Sequence, residues 1–216
     1  SPLGQPVAKI IECDLGALVT GRVVTSGGGA LTTVAAVPGQ GTAARFPAFA
    51  ASSTGPRAIV SLKSSDGVER LSPGTAWFEV GVDVALDSVS EAAGSSDDGN
   101  NAIQRGLYND PSQFKVQVDA RRPSCRVKGA SGAVQVTSSV TLTPGAWYRL
   151  RCTRTPGNRS DTVTIKVTPL RADGSLGTAT STSRSGAVGR LSYPVSVPMS
   201  VGGKLGGNGS IYLSAS

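Results

Sequence analysis

The sequence predicts an all-β protein, a sandwich or barrel of antiparallel strands. Three observations carry this. Among 216 residues there are 28 Gly and 13 Pro, and Val, Thr and Ser are plentiful where Leu, Glu and Met are scarce. Val and Thr suit pleated, half-buried surfaces, while Gly and Pro punctuate turns. Alternating runs recur at intervals of roughly 8–12 residues with turn signals between them, and no segment carries a convincing helical period. A chain this long hides about 70% of its unfolded surface and can build a core without staples. It is read as one domain, residues 1–216, with 1–56 a loosely patterned part of it.

The elements follow in order. KIIECD and GRVVT read as short strands, with SGGGALTT after them. PGQGTAARFPAFAASSTGP reads as loop around Phe46 and Phe49. RAIVSLK is a short apolar run. TAWFEVGVDVAL puts Phe78, Val80, Val82 and Val84 on one face, and Trp77, Glu79, Gly81 and Asp83 on the other. DSVSEAAGSSDDGNN breaks the pattern with acids, Ser and Gly, as a loop does. QFKVQVD turns Phe114, Val116 and Val118 inward, and Gln113, Lys115, Gln117 and Asp119 outward. Beyond the basic turn DARRPS, SCRVKG turns Cys125 and Val127 inward and Arg126 and Lys128 outward. AVQVT follows. WYRLRC places Tyr148, Leu150 and Cys152 on one face and Trp147, Arg149 and Arg151 on the other. TVTIKV buries Val163, Ile165 and Val167, and the tail offers PVSVPMSVGG and SIYLS.

Charge is uneven. Residues 1–100 carry 6 basic and 10 acidic groups, and the remainder carries 15 basic and 4 acidic, within a net charge of +7. The basic half suits an acidic glycan, nucleic acid or an anionic surface; the plain alternative is a solvated face. No run approaches the ~18 apolar residues of a membrane span. The opening SPLGQP carries neither Met nor a charged-then-apolar leader, as expected of a mature exported chain or of a trimmed segment. With 3 Cys and no His, a structural zinc site is disfavoured. One disulfide and one leftover thiol is the natural reading for an exported chain. Cys125 and Cys152 share the inward faces of their strands; a bridge between them would contribute roughly 3–4 kcal/mol, and two buried thiols are the alternative. The role of Cys13 stays open.

DDGNNAIQRGLYNDPSQFKVQVD, SCRVKG, LTPGAWYRLRCTR and PVSVPMSVGGKL, in that order, resemble the concanavalin A-like, laminin-G-like jelly-roll domains of exported actinobacterial proteins. The resemblance covers roughly residues 57–207. It implies a jelly-roll sandwich of two antiparallel sheets, a disulfide between Cys125 and Cys152, and a late core strand in SVGGKL. Such domains usually close with a further strand after the position of SIYLSAS. The resemblance therefore raises strand completion, by the chain's own N-terminal segment, by a symmetry-related copy or by a cleaved peptide, with a donor from another chain favoured over the chain's own segment.

Catalysis finds little support. Without His, the Ser-His-Asp and Cys-His constellations are excluded. Glu79 and Asp83 stand about 13 Å apart on an extended strand, too far for glycoside hydrolysis by these two alone, and read as solvated acids. A Tyr-based lyase would have to use Tyr108 near Arg105, but IQRGLYND reads better as a strand leading into a turn with Tyr108 half-buried, and the two residues stand instead as candidate binding residues. Oxygen ligands at Asp97, Asp98, Asn100 and Asn101 suit calcium or a plain turn. The remaining feature is a cationic face: Arg126, Lys128, Arg149 and Arg151 point outward, Trp147 lies beside the last two, and Arg121, Arg122, Arg154 and Arg159 sit in adjoining turns. Guanidinium groups beside an aromatic suit sulfate or carboxylate on a sugar. No nucleic-acid motif is present. The expected function is extracellular, non-catalytic binding or adhesion, to an anionic glycan or a protein partner. The alternatives are a structural subunit of a surface assembly completed by strand exchange, and a polysaccharide-degrading enzyme of jelly-roll fold.

Overall fold

A computed structural model describes residues 7–9, 19–37, 41–47, 54–86, 100–206 and 211–212. Its strands, in chain order, are β1 (Val7–Lys9), β2 (Val19–Ser26), β3 (Thr32–Ala35), β4 (Thr42–Arg45), β5 (Arg57–Ser64), β6 (Phe78–Ala85), β7 (Asn100–Arg105), β8 (Gln113–Asp119), β9 (Arg122–Gly129), β10 (Gly132–Thr137), β11 (Trp147–Thr155), β12 (Asp161–Leu170), β13 (Thr180–Gly186), β14 (Met199–Val201), β15 (Lys204–Leu205) and β16 (Ile211–Tyr212). Sheet A runs β13-β12-β11-β6-β1-β4-β3, and sheet B runs β10-β9-β8-β7-β14-β5-β2. Their strand pairs are antiparallel. The all-β sandwich of two antiparallel sheets expected from the sequence is the observed architecture.

The core forms where the alternating runs of the two sheets meet. Phe114, Val116 and Val118 from β8 face Leu150, Val163 and Ile165 from β11 and β12 in one cluster, all essentially without solvent contact. The Cys125–Cys152 disulfide joins β9 to β11 and so ties sheet B to sheet A, with Cα atoms 5.6 Å apart. SVGGKL supplies β14, an interior strand between β7 and β5. Its turn needs Gly202: φ is +82°, and a Cβ there would lie 2.1 Å from the Phe46 ring.

Several expectations are corrected. The expected loop around Phe46 contains β4, and Phe46 is a core residue; Phe49 lies outside the described residues. Arg154 is not in a turn. It lies within β11, next to its last residue, is 1% exposed, and donates to the carbonyls of Gly74, Ala76 and Gly189. Asp83 is not a solvated acid but a buried one. Strand completion from another chain is not what places the interior of sheet A. The chain's own Val7–Lys9 sits between β6 and β4, with Lys9 opposite Asp83. Beyond that register, Phe78–Val82 pairs with β11 on one side and has no partner on the other among the described residues.

Outward did not mean exposed. Gln113, Lys115 and Gln117 point away from the core, as the alternation requires, yet all are buried. The hairpin joining β8 to β9 turns through Ala120 and Arg121 at φ of 47° and 59°. Both central residues are left-handed, as a two-residue turn of the primed kind demands. No helix among the described residues is long and apolar enough to cross a membrane.

Candidate functional site

A sandwich has two outward faces, and the expected cationic face is divided between them. Arg126 and Lys128 stand on β9 in sheet B, whereas Trp147, Arg149 and Arg151 stand on β11 in sheet A. Alternation within one strand fixes inward against outward. It carries no information on which sheet the strand joins.

On sheet A the positive charge is largely cancelled. Asp83 accepts from Arg149 Nε at 2.9 Å and Nη2 at 3.0 Å. This pairing raises the Arg149 guanidinium above its ordinary value. Arg151 lies 3.7 Å from Glu79 and 3.6 Å from Asp83. Its side chain crosses Gly81, where a Cβ would meet the Arg151 Cδ at 2.8 Å. Burial pushes the Arg151 guanidinium down, and Asp83 partly restores it. Trp147 is half-buried beside this network, opposite Ala85 and Leu170. The two acids that a glycosidase would need are thus the counterions of two of the expected anion binders.

Arg105 and Tyr108 do not form a pair. Phe114 faces inward, and Arg105 lies opposite it. Arg105 is 3% exposed and donates to both oxygens of Glu69, at 2.9 and 2.6 Å. Its guanidinium lies 4.4 Å from the centre of the Tyr193 ring. Tyr108, expected to be half-buried, is 60% exposed.

Sheet B gathers Tyr108, Arg126 and Lys128. The Arg126 guanidinium lies 4.3 Å from the centre of the Tyr108 ring, and Lys128 Nζ donates to the Tyr108 carbonyl at 3.2 Å. Lys115 stands directly opposite Arg126 across β8 and β9, and Gln113 stands opposite Lys128. Arg126 Nη1 donates to Gln113 Oε1. The other end of that amide donates to the Gly106 carbonyl at 3.2 Å, which also accepts from Gln104 Nε2 at 2.9 Å. Gly106 has no alternative at φ +78°, because a Cβ there would lie 2.2 Å from the Ser112 carbonyl. Asp110 caps the same turn through the Leu107 N–H. Burial pushes the Arg126 guanidinium down from its ordinary value. Like charges directly opposed on one face oppose folding, so the cluster is tolerated at a cost. Gln113, Gln104 and Lys115 were not singled out from the sequence. Alternation put Gln113 and Lys115 on the right face, but a neutral amide in an outward position signals nothing by itself.

The remaining positions are dispersed. Arg122 donates to the Ser138 carbonyl at 2.8 Å, and Arg159 is exposed in a turn. Asp97 and Asp98 lie outside the described residues. Asn100 and Asn101 belong to β7 and not to a loop, and the buried Asn101 amide has no hydrogen-bond partner among the described residues. Among the described residues no three His, Cys, Asp or Glu side chains gather as a metal site would require. A cavity of about 1180 Å³ lies between the sheets along the Phe78–Val82 stretch of β6, with Val60, Leu62 and Met199 among its walls.

The protein-family models contain none that matches this sequence, and no curated protein matches it. One solved structure, the LG1-3 region of the laminin alpha2 chain, is similar at 13% identity with a TM-score of 0.48, over 72% of this chain and 28% of that one. The chain therefore spans less than a third of that protein's length. The fold assignment itself rests on the strand order and registers.

Proposed function

We propose that this chain is an exported, non-catalytic binding domain that takes an anionic glycan on the outer face of sheet B. The carrying observation is Arg126. It is 7% exposed, it is bonded by a neutral amide, and it stacks beneath an exposed tyrosine with Lys128 beside it. A guanidinium offers paired donors to sulfate or carboxylate, and an exposed aromatic ring offers a platform for a sugar. The interior disulfide supports export, since such bonds persist in oxidising compartments. The ion pairing of Glu79 and Asp83 supports a binding role over a hydrolytic one.

Heparin affinity tests the reading. Binding should weaken steeply with salt. Arg126→Gln and Lys128→Ala should each weaken it, while Lys166→Ala, on the exposed outer face of sheet A, should leave it unchanged. No binding at low salt overturns the proposal. So does an equal loss in the Lys166 variant, which would mean that net charge and not this cluster does the binding. A glycan array without an acidic hit would leave a protein partner as the better reading.

A further inference from the structure

Five other arginines lie within 4 Å of a carboxylate. Arg70 lies 2.5 Å from Asp66, Arg105 lies 2.6 Å from Glu69, and Arg149 lies 2.9 Å from Asp83. Arg151 and Arg154 have Glu79 and Asp161 at 3.7 and 3.8 Å. Arg126 is as buried as several of these, yet its side-chain partners are the Gln113 amide and the Tyr108 ring. A glutamate in place of Gln113 would reach the same nitrogen with the same number of atoms and would neutralise the guanidinium.

We propose that Gln113 is the specificity-determining residue of this face: it fixes Arg126 in position without supplying a negative charge, and no carboxylate pairs with Arg126 among the described residues, so that one anionic group of an acidic saccharide completes the pairing. This rests on the reading of sheet B as the glycan-binding face. The geometry supports a single anionic group. Nη1 is occupied by Gln113, and one face of the guanidinium is covered by Tyr108. The remaining N–H donors form one docking point, with Lys128 as a second charge at its side. Gln113 is itself 2% exposed and anchored through Nε2 to the Gly106 carbonyl, so its amide is oriented before any ligand arrives. Preorganisation of this kind lowers the entropy lost on binding. A buried cation without a counterion destabilises the unliganded fold, and an anion that binds only the folded state should offset that by mass action.

Four proteins decide it: the unaltered chain, Arg126→Gln, Gln113→Glu and Gln113→Leu. Binding to a heparin oligosaccharide and thermal unfolding are measured for each. Gln113→Glu should weaken binding on the order of tenfold or more, while its melting temperature rises above that of the unaltered chain. Gln113→Leu removes the hydrogen bond without adding charge. It should melt lower and bind more weakly than the unaltered chain, because Arg126 is no longer held in place, but clearly more tightly than Gln113→Glu. Gln113→Glu binding as tightly as the unaltered chain, with Arg126→Gln binding poorly, overturns the role of Gln113 and leaves the glycan face standing. Equal loss in Gln113→Leu and Gln113→Glu also overturns it, because Gln113 would then act through geometry and not charge. No heparin binding by the unaltered chain removes the glycan reading itself, and this proposal with it. Desulfated heparin and carboxyl-reduced heparin identify the anionic group: it is the one whose removal loses affinity.

Discussion

Arg154 is a strut between loops that are far apart in the chain. Its guanidinium donates to carbonyls at Gly74, Ala76 and Gly189, and the Asp161 carboxylate is 3.8 Å away and accepts from the Val188 and Gly189 N–H groups. Arg154→Ala leaves those carbonyls and a nearly buried acid without their partner. It should cost about 3–5 kcal/mol in urea unfolding. Arg154→Lys should recover only part of the loss, because a single ammonium cannot span the same carbonyls. Glu69 makes a different prediction. Hydrogen bonds from Arg105 hold its carboxyl below the ordinary glutamate value, so the unfolded chain binds that proton more readily than the folded one. The stabilisation is complete above the unfolded glutamate range and disappears as the pH falls through the lower folded value. Glu69→Gln should lower stability at neutral pH and flatten the acid side of the stability curve. An acid limb of unchanged slope in that variant would show that other carboxylates set it.

The β8–β9 hairpin is the element whose sequence fits its geometry least well. The turn is primed, which favours Asn and Gly at its two central places, and here they hold Ala120 and Arg121 at positive φ. The flanking strands are buried on both faces and impose the register, with Asp119 opposite Arg122. Ala120→Asn combined with Arg121→Gly should therefore stabilise by about 0.5–1 kcal/mol in thermal or chemical unfolding. A loss of stability would mean that Arg121 holds contacts worth more than the strain. The strands were legible wherever one face is apolar, as in β8, β11 and β12, because burial of alternate side chains fixes them locally. β4 was not. TAAR is small and weakly patterned, and its strand identity comes from pairing with β1 and β3, which is long-range information.

Across the whole molecule, the sequence revealed the sandwich and the disulfide, but only part of the site. Cys125 and Cys152 both faced inward on strong strands, which allowed a bridge or two buried thiols, and the family resemblance favoured the bridge that the structure holds. Arg126, Lys128 and Tyr108 came together as a subset of the expected binders. Arg149 and Arg151 did not join them, because the assignment of β9 and β11 to different sheets is a property of the global topology. Arg105 faces inward because β7 carries an irregular register between Asn101 and Ile103, which reverses the face on which later residues fall. A local pattern gives no warning of such a shift. The excess of basic residues in the later half is real, yet pairing with Glu69, Asp83, Glu79 and Asp161 spends much of it inside the fold.

The bond between Cys125 and Cys152 has a mechanical consequence. It closes a covalent ring across a sequence separation of 27 residues, and that ring contains β10 and most of β9. A pulling force applied at the two ends of the chain passes through the sulfur bridge and leaves the ringed segment unloaded. Those residues add nothing to the extended length until the bond is reduced. At about 3.4 Å per residue, the hidden length is roughly 90 Å. Single-molecule stretching should show complete unfolding shorter by this amount in oxidised protein than in reduced protein or in a Cys125→Ala, Cys152→Ala variant. Equal lengths would mean that the bridge does not carry the load. Under load the chain would extend in two stages, with the second released chemically.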